Sequence, residues 1–111
     1  MNGSFIDPGA LRTELSLQRA TLTADGLGGH VESWNEIATL FARVEPVSAT
    51  SRFAADQTAE TTTHRITTRY RNDLASGMRL VRNGRIFGVV SVHDPDETGR
   101  YLVCRAREKG R

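Results

Sequence analysis

Apolar and polar side chains alternate with a period of two through most of this chain. In residues 64–71, Ile66, Thr68 and Tyr70 fall on one face and Arg65, Thr67, Arg69 and Arg71 on the other. That is the signature of a half-buried β-strand whose first set points inward. Residues 78–82 and Arg85–His93 flank Asn83-Gly84. An Asn-Gly pair between two such runs predicts a hairpin, because both central residues of a type I′ turn need positive φ. Residues 100–107 form a last strand with Leu102, Cys104 and Ala106 opposed to Tyr101, Val103 and Arg105. Tyr101 and Val103 on the outer face imply that both faces are partly covered. The polar tail, 108–111, is expected to fray.

The N-terminal half follows the same rule less regularly. Residues 13–23 read as a first strand in which Leu15 and Leu17 share a face and Leu22 takes the other. The change of phase predicts a bulge or bend near Arg19-Ala20. Residues 25–30 hold three glycines within four positions, but the Gly-Lys-Ser/Thr of a phosphate loop is missing and strand-like residues 30–34 follow, so a flexible hairpin is the reading. Residues 39–47 form the next strand, with Leu40, Ala42 and Val44 inward and Pro46 marking an edge or an end. Residues 1–12 form an irregular arm with a Pro8-Gly9 turn, and 10–12 either a short helical turn or the start of the first strand. The connection 48–63 lacks any period; Phe53 is its one large apolar residue, and 53–57 could form a helical turn. Connections that long are usually functional or disordered. It is either a mobile working element or a surface loop without a role.

Five or six strands with hardly any helical periodicity predict an all-β fold, a small antiparallel β-barrel. The 111 residues form one domain, 1–111, with the arm 1–12 and the loop 48–63 attached. No apolar run approaches the roughly 20 residues needed to cross a bilayer. The first eight residues lack the basic start and apolar core of a signal peptide, so synthesis in the cytosol is expected unless the chain leaves within a larger particle.

Charge changes this picture little. The net charge is +2, and the basic residues are fourteen Arg and one Lys. Arg is suited to bidentate pairing and to interfaces, so subunit or partner contacts are expected from Phe5, Trp34, Arg65, Arg69, Arg71, Arg82 and Arg85. Arg65, Arg69, Arg71, Arg79, Arg82 and Arg85 could alternatively line a basic groove for single-stranded nucleic acid. Such grooves normally add stacking aromatics, and here only Tyr70 and Phe87 are near. Catalytic equipment is sparse: His30, His64 and His93 lack metal-ligand spacing, and Asp94, Asp96 and Glu97 read as solvated turn carboxylates. Cys104 reads as a small core hydrophobe. An enzyme, a cofactor and a metal site are not expected.

The order of features resembles the head-closure, or head–tail joining, proteins of long-tailed phages, also called stoppers. The residues that carry it are 8–12 (Pro-Gly-Ala-Leu-Arg), 15–18, 25–29 with Trp34, and 40–46 before a long loop. It continues through 64–70, 78–80, 84–90 and 92–94 to a C-terminal strand. Similar proteins occur in phage-like gene transfer agents. The resemblance implies a barrel that assembles as a homo-oligomeric ring, sixfold by expectation, located in a virion or phage-like particle made in the bacterial cytoplasm. It implies as partners a portal-bound adaptor above, a tail terminator or tail tube protein below, and packaged double-stranded DNA in the channel. It also implies that the long loop faces the channel and helps retain DNA, which makes Arg52, Phe53, Asp56, Gln57 and Glu60 candidate gating residues.

Overall fold

Unequal strand lengths set the architecture. In a computed structural model, which describes residues 6–47 and 62–109, six strands follow one 3₁₀ turn, Pro8–Ala10. They are β1 (Thr13–Ala24), β2 (His30–Pro46), β3 (His64–Arg69), β4 (Arg79–Arg82), β5 (Arg85–His93) and β6 (Tyr101–Lys109). All pairings are antiparallel, and the order β1-β2-β3-β6-β5-β4 closes on itself as a barrel. The expected small all-β barrel is therefore present, with six strands and complete closure.

The inward face is the one that the alternation marks. Leu15, Leu17, Leu40, Ala42, Ile66, Leu80, Phe87, Val89, Leu102, Cys104 and Ala106 are buried together. Phe87 is the largest of them. The Asn83-Gly84 turn has φ of 50° and 80°, as a type I′ hairpin requires. Val103 is buried on the opposite side of β6 from Cys104, so both faces of this strand are indeed covered.

Several expectations need correction. Residues 30–34 and 39–47 are not two strands but one, His30–Pro46. The irregularity in the first hairpin lies at Leu17/Gln18 rather than at Arg19-Ala20. Leu17 pairs with Ala38 and Gln18 with Glu36, so Ile37 is the extra residue, on β2. The bulge inverts the alternation of β2, because side chains sharing a face before it sit on opposite faces after it. A second irregularity leaves Val90 extra on β5. Bulges add the local twist and bending that help a sheet close. Tyr70 does not point inward: β3 ends at Arg69, and Tyr70 is 49% exposed. Glu108 and Lys109 are not a frayed tail but the end of β6.

The arm 1–12 is described from Ile6 onward. Asp7 accepts a hydrogen bond from the Gly9 amide at 2.9 Å and caps the 3₁₀ turn. Of the 48–63 connection, only Thr62 and Thr63 are described; Thr62 is buried and Thr63 is tied down by backbone bonds. Val47 donates to the Thr63 carbonyl and Thr63 to that of Ala106, each at 2.9 Å. The candidate residues Arg52, Phe53, Asp56, Gln57 and Glu60, the 53–57 helical turn, and Phe5 lie outside the described residues.

The core predicts a sharp contrast between two leucines of one strand. Leu17 is fully buried and Leu22 is 65% exposed. Leu17→Ala should lower unfolding free energy by about 2–5 kcal/mol, whereas Leu22→Ala should stay within about 0.5 kcal/mol. Urea denaturation of the two variants measures both.

Candidate functional site

β1 and β2 are longer than their barrel neighbours. β4 reaches only Ser16, Leu17 and Gln18 of β1, and β3 reaches only 42–46 of β2. Beyond these points the two strands have only each other, from Arg19↔Asn35 to Ala24↔His30. They leave the barrel as a two-stranded ribbon of roughly 20 Å, at about 3.3 Å per residue. The molecule accordingly measures 56 × 31 × 26 Å. The tip is shaped by Asp25, whose Oδ1 accepts from the amides of Leu27 (2.7 Å) and Gly29 (3.0 Å). Those two bonds hold the Asp25 carboxyl below its usual range. Leu27, at the end, is 90% exposed.

The ribbon is clamped where it leaves the barrel. Arg79 on β4 donates to Gln18 Oε1 at 2.7 Å and places its guanidinium 4.3 Å from the Trp34 ring centre. The inversion at Ile37 puts Trp34 on the outer side of the sheet, where a cation can cover it. Glu36 accepts from Ser16 Oγ (2.8 Å), and Asn35 donates to Thr21 Oγ1 (3.0 Å), tying the strands together across the ribbon.

At the opposite end of the barrel is an open cavity of about 400 Å³. Thr13 and Leu15 of β1, Val44 and Pro46 of β2, His64 of β3, Arg82 of β4, and Arg85 and Phe87 of β5 line it. Arg85 makes a two-pronged pair with Glu108 (2.8 and 3.0 Å) and covers the Phe87 ring. His64 stands edge-on to Phe87 at 5.0 Å, with Nε2 4.0 Å from Glu108. Thr63 Oγ1 accepts from the Glu108 amide at 2.7 Å and lies 2.9 Å from His64 Nδ1 but 3.5 Å from the Ala106 carbonyl. Burial lowers the His64 pKa from 6.5; Glu108 opposes that shift and Arg85 reinforces it.

The arginines expected to act together are dispersed. Arg65 pairs with Glu45 (3.2 Å), Arg71 with both oxygens of Asp73 (2.9 Å each), and Arg82 donates to the Glu14 carbonyl (3.2 Å). Arg79 sits at the ribbon base and Arg85 at the cavity, while Arg69 is exposed at the end of β3. Five of the six thus bond within the chain, and of these Arg82 and Arg85 both line the cavity while Arg79 stands at the ribbon base. Trp34, expected at a subunit or partner contact, lies under the Arg79 guanidinium.

The carboxylate turn after β5 is built for its own geometry. Asp94 accepts from the Gly99 amide (2.7 Å), and Asp96 from the Thr98 amide and hydroxyl (3.2 and 2.7 Å). Among the described residues no cluster of His, Cys, Asp and Glu could hold a metal ion. Cys104 is fully buried, and burial pushes its thiol up to about 12, so it does not supply a thiolate.

Glu108 is the residue that the sequence reading missed. It continues the 102, 104, 106 parity of β6, so its side chain falls at the barrel end beside the cavity. A carboxylate in that register needs a cation, and Arg85 provides it.

Comparison with known proteins fits this architecture. The family model described as phage head completion protein matches residues 6–109, nearly the whole chain. The chain belongs to that family. It is a structural family of the virion, and head completion is this chain's role. A chain from the virion of a native gene transfer agent particle is similar at 28% identity and a TM-score of 0.67, over 89% of this chain and 96% of that one. The solution structure of protein SF1141 from Shigella flexneri 2a is similar at 27% identity and a TM-score of 0.66, over 91% and 96%. Among curated proteins none matches.

Two outcomes follow for this head completion protein. Folded His64 binds its proton less readily than unfolded His64, so its contribution to stability is present above pH 6.5 and is lost as pH falls below it. The lowered carboxylates Asp25, Asp73 and Asp96 start from 3.8 and act at lower pH. NMR titration should give a His64 midpoint below 6.5, and His64→Gln should flatten the stability curve just below pH 6.5; an unchanged slope would contradict this. Separately, Arg79→Ala should uncover Trp34, shift its emission to the red and cost about 0.5–1.5 kcal/mol. Fluorescence measures it directly, since Trp34 is the only tryptophan.

Proposed function

We propose that this chain is the head-closure subunit of its particle, a ring component joining the portal-bound adaptor to the tail. The observation that carries this reading is the family match over residues 6–109. The likeness to a chain of a gene transfer agent virion supports it. So does the chemistry: the thiol is buried and protonated, and most arginines are committed to carboxylates or carbonyls of their own chain. What the chain offers instead is rigid: a closed barrel carrying a projecting ribbon.

In this reading the barrel is the ring's wall and the 48–63 connection faces the channel, where Arg52, Phe53, Asp56, Gln57 and Glu60 contact packaged double-stranded DNA. The anchorage of Thr63 to β6 supports such a role, because it fixes one root of that connection to the barrel. The tail terminator or tail tube protein meets the ring on its far side.

Deletion of the gene in a particle-producing strain tests the assignment. Filled or leaking heads without tails should accumulate, and complementation should restore tailed particles. Shortening the 48–63 connection should leave tails attached while reducing nuclease-protected DNA. Normal tailed, DNA-filled particles from the deletion strain would overturn the assignment.

A further inference from the structure

We infer that the β1–β2 ribbon seats its tip in the barrel cavity of a second copy of this chain, joining copies head to tail. The inference rests on the ring reading above and adds the contact that would build the ring. Ribbon and cavity lie at opposite ends of one barrel: β1 starts at the cavity with Thr13 and enters the ribbon after Gln18. A surface and its complement at different places on a molecule make a heterologous contact, which repeats from copy to copy and closes as a ring when the rotation allows.

The chemistry of the two ends matches. Leu27 is 90% exposed at the tip, and Leu22 and Val31 are 65% and 56% exposed along the ribbon. A two-stranded ribbon with no core beneath it is marginal in water, so covering these side chains would stabilise the element itself. The cavity, about 400 Å³, offers Leu15, Val44 and Phe87 as apolar walls. Charge is complementary as well. Residues 20–42 contain Asp25, Glu32 and Glu36 and not one Lys or Arg, although the whole chain is +2. The cavity rim carries Arg82 and Arg85. Arg82 spends a donor on the Glu14 carbonyl and pairs with no carboxylate among the described residues, so its fork remains available to an incoming carboxylate such as Asp25, which two amides keep ionised. Opposite charges arranged this way favour the tip–cavity encounter over tip–tip contact.

Cross-linking inside assembled particles tests the contact. In a Cys104→Ala background, Thr13→Cys and Leu27→Cys are combined in one chain. Thr13 opens β1 and Leu27 lies in the turn beyond its far end, roughly 40 Å away at about 3.3 Å per residue, far beyond the 7 Å over which a disulfide can form. Oxidation, or a short bis-maleimide, should therefore produce a ladder of multimers ending in a closed species, while neither single variant gives a ladder. Leu27→Asp should lower incorporation into particles at least about tenfold, with Leu27→Met close to wild type. Dimers from Leu27→Cys alone would show a tip-to-tip contact and overturn the inference. So would tailed particles that contain the double variant yet give no ladder, which would leave the head-closure reading standing. Absence of the chain from tailed particles would overturn both.

Discussion

Everything in this molecule depends on a seam of three residue pairs. Ser16, Leu17 and Gln18 of β1 meet Val81, Leu80 and Arg79 of β4, and that short ladder turns a six-stranded sheet into a closed barrel. Closure removes the open edges that a sheet would otherwise present to other chains. Because β4 is only four residues long, closure on the ribbon side stops at its first residue, Arg79, opposite Gln18. The twelve residues of β1 and seventeen of β2 cannot all find partners in the barrel, so the excess leaves as a ribbon. The ribbon is thus a consequence of strand-length mismatch. The same seam holds it: Arg79, the first residue of β4, reaches both Gln18 and Trp34.

At the other end, β1 begins, β6 finishes and the β4–β5 hairpin turns. Glu108, Arg85, His64 and Thr63 form one connected polar group around the edge of Phe87. Their bonds satisfy one another, which lets charged side chains border an apolar cavity without a stranded ion. The two ends of the barrel therefore differ in kind. One projects an apolar, acidic ribbon; the other recedes into an apolar cavity with arginines on its rim. That polarity suits a protein whose family completes a structure built from other proteins.

Much of the barrel was legible in the alternation of side chains. Leu15, Leu17, Leu40, Ala42, Ile66, Leu102, Cys104 and Ala106 all fall inside as their period-2 positions predict, and Asn83-Gly84 turns as its chemistry demands. The ribbon was not legible, and the reason is physical. The bulge at Ile37 inverts the alternation within one strand, which made β2 look like two short strands separated by a break. Tyr70 was misplaced because periodicity does not say where a strand ends. Glu108 was missed because a charged residue near a terminus reads as tail, although its parity with Ala106 was visible. The pairing of the arginines was only partly legible: Asp73 stands two residues from Arg71, but Glu45 and Glu108 lie 20 and 23 residues from Arg65 and Arg85, and only the strand pairing brings them together.

A closed barrel with one projecting end and one receiving end is the part that we propose closes the head of a phage-like particle. A cryo-electron microscopy reconstruction of the particle neck, from a strain carrying this gene, tests it most directly. The expected map shows a ring of six-stranded barrels between the portal-adaptor assembly and the tail, each with its β1–β2 ribbon reaching a neighbouring barrel. A neck in which this chain is absent, or in which its barrels stand apart with every ribbon folded on its own copy, would contradict it.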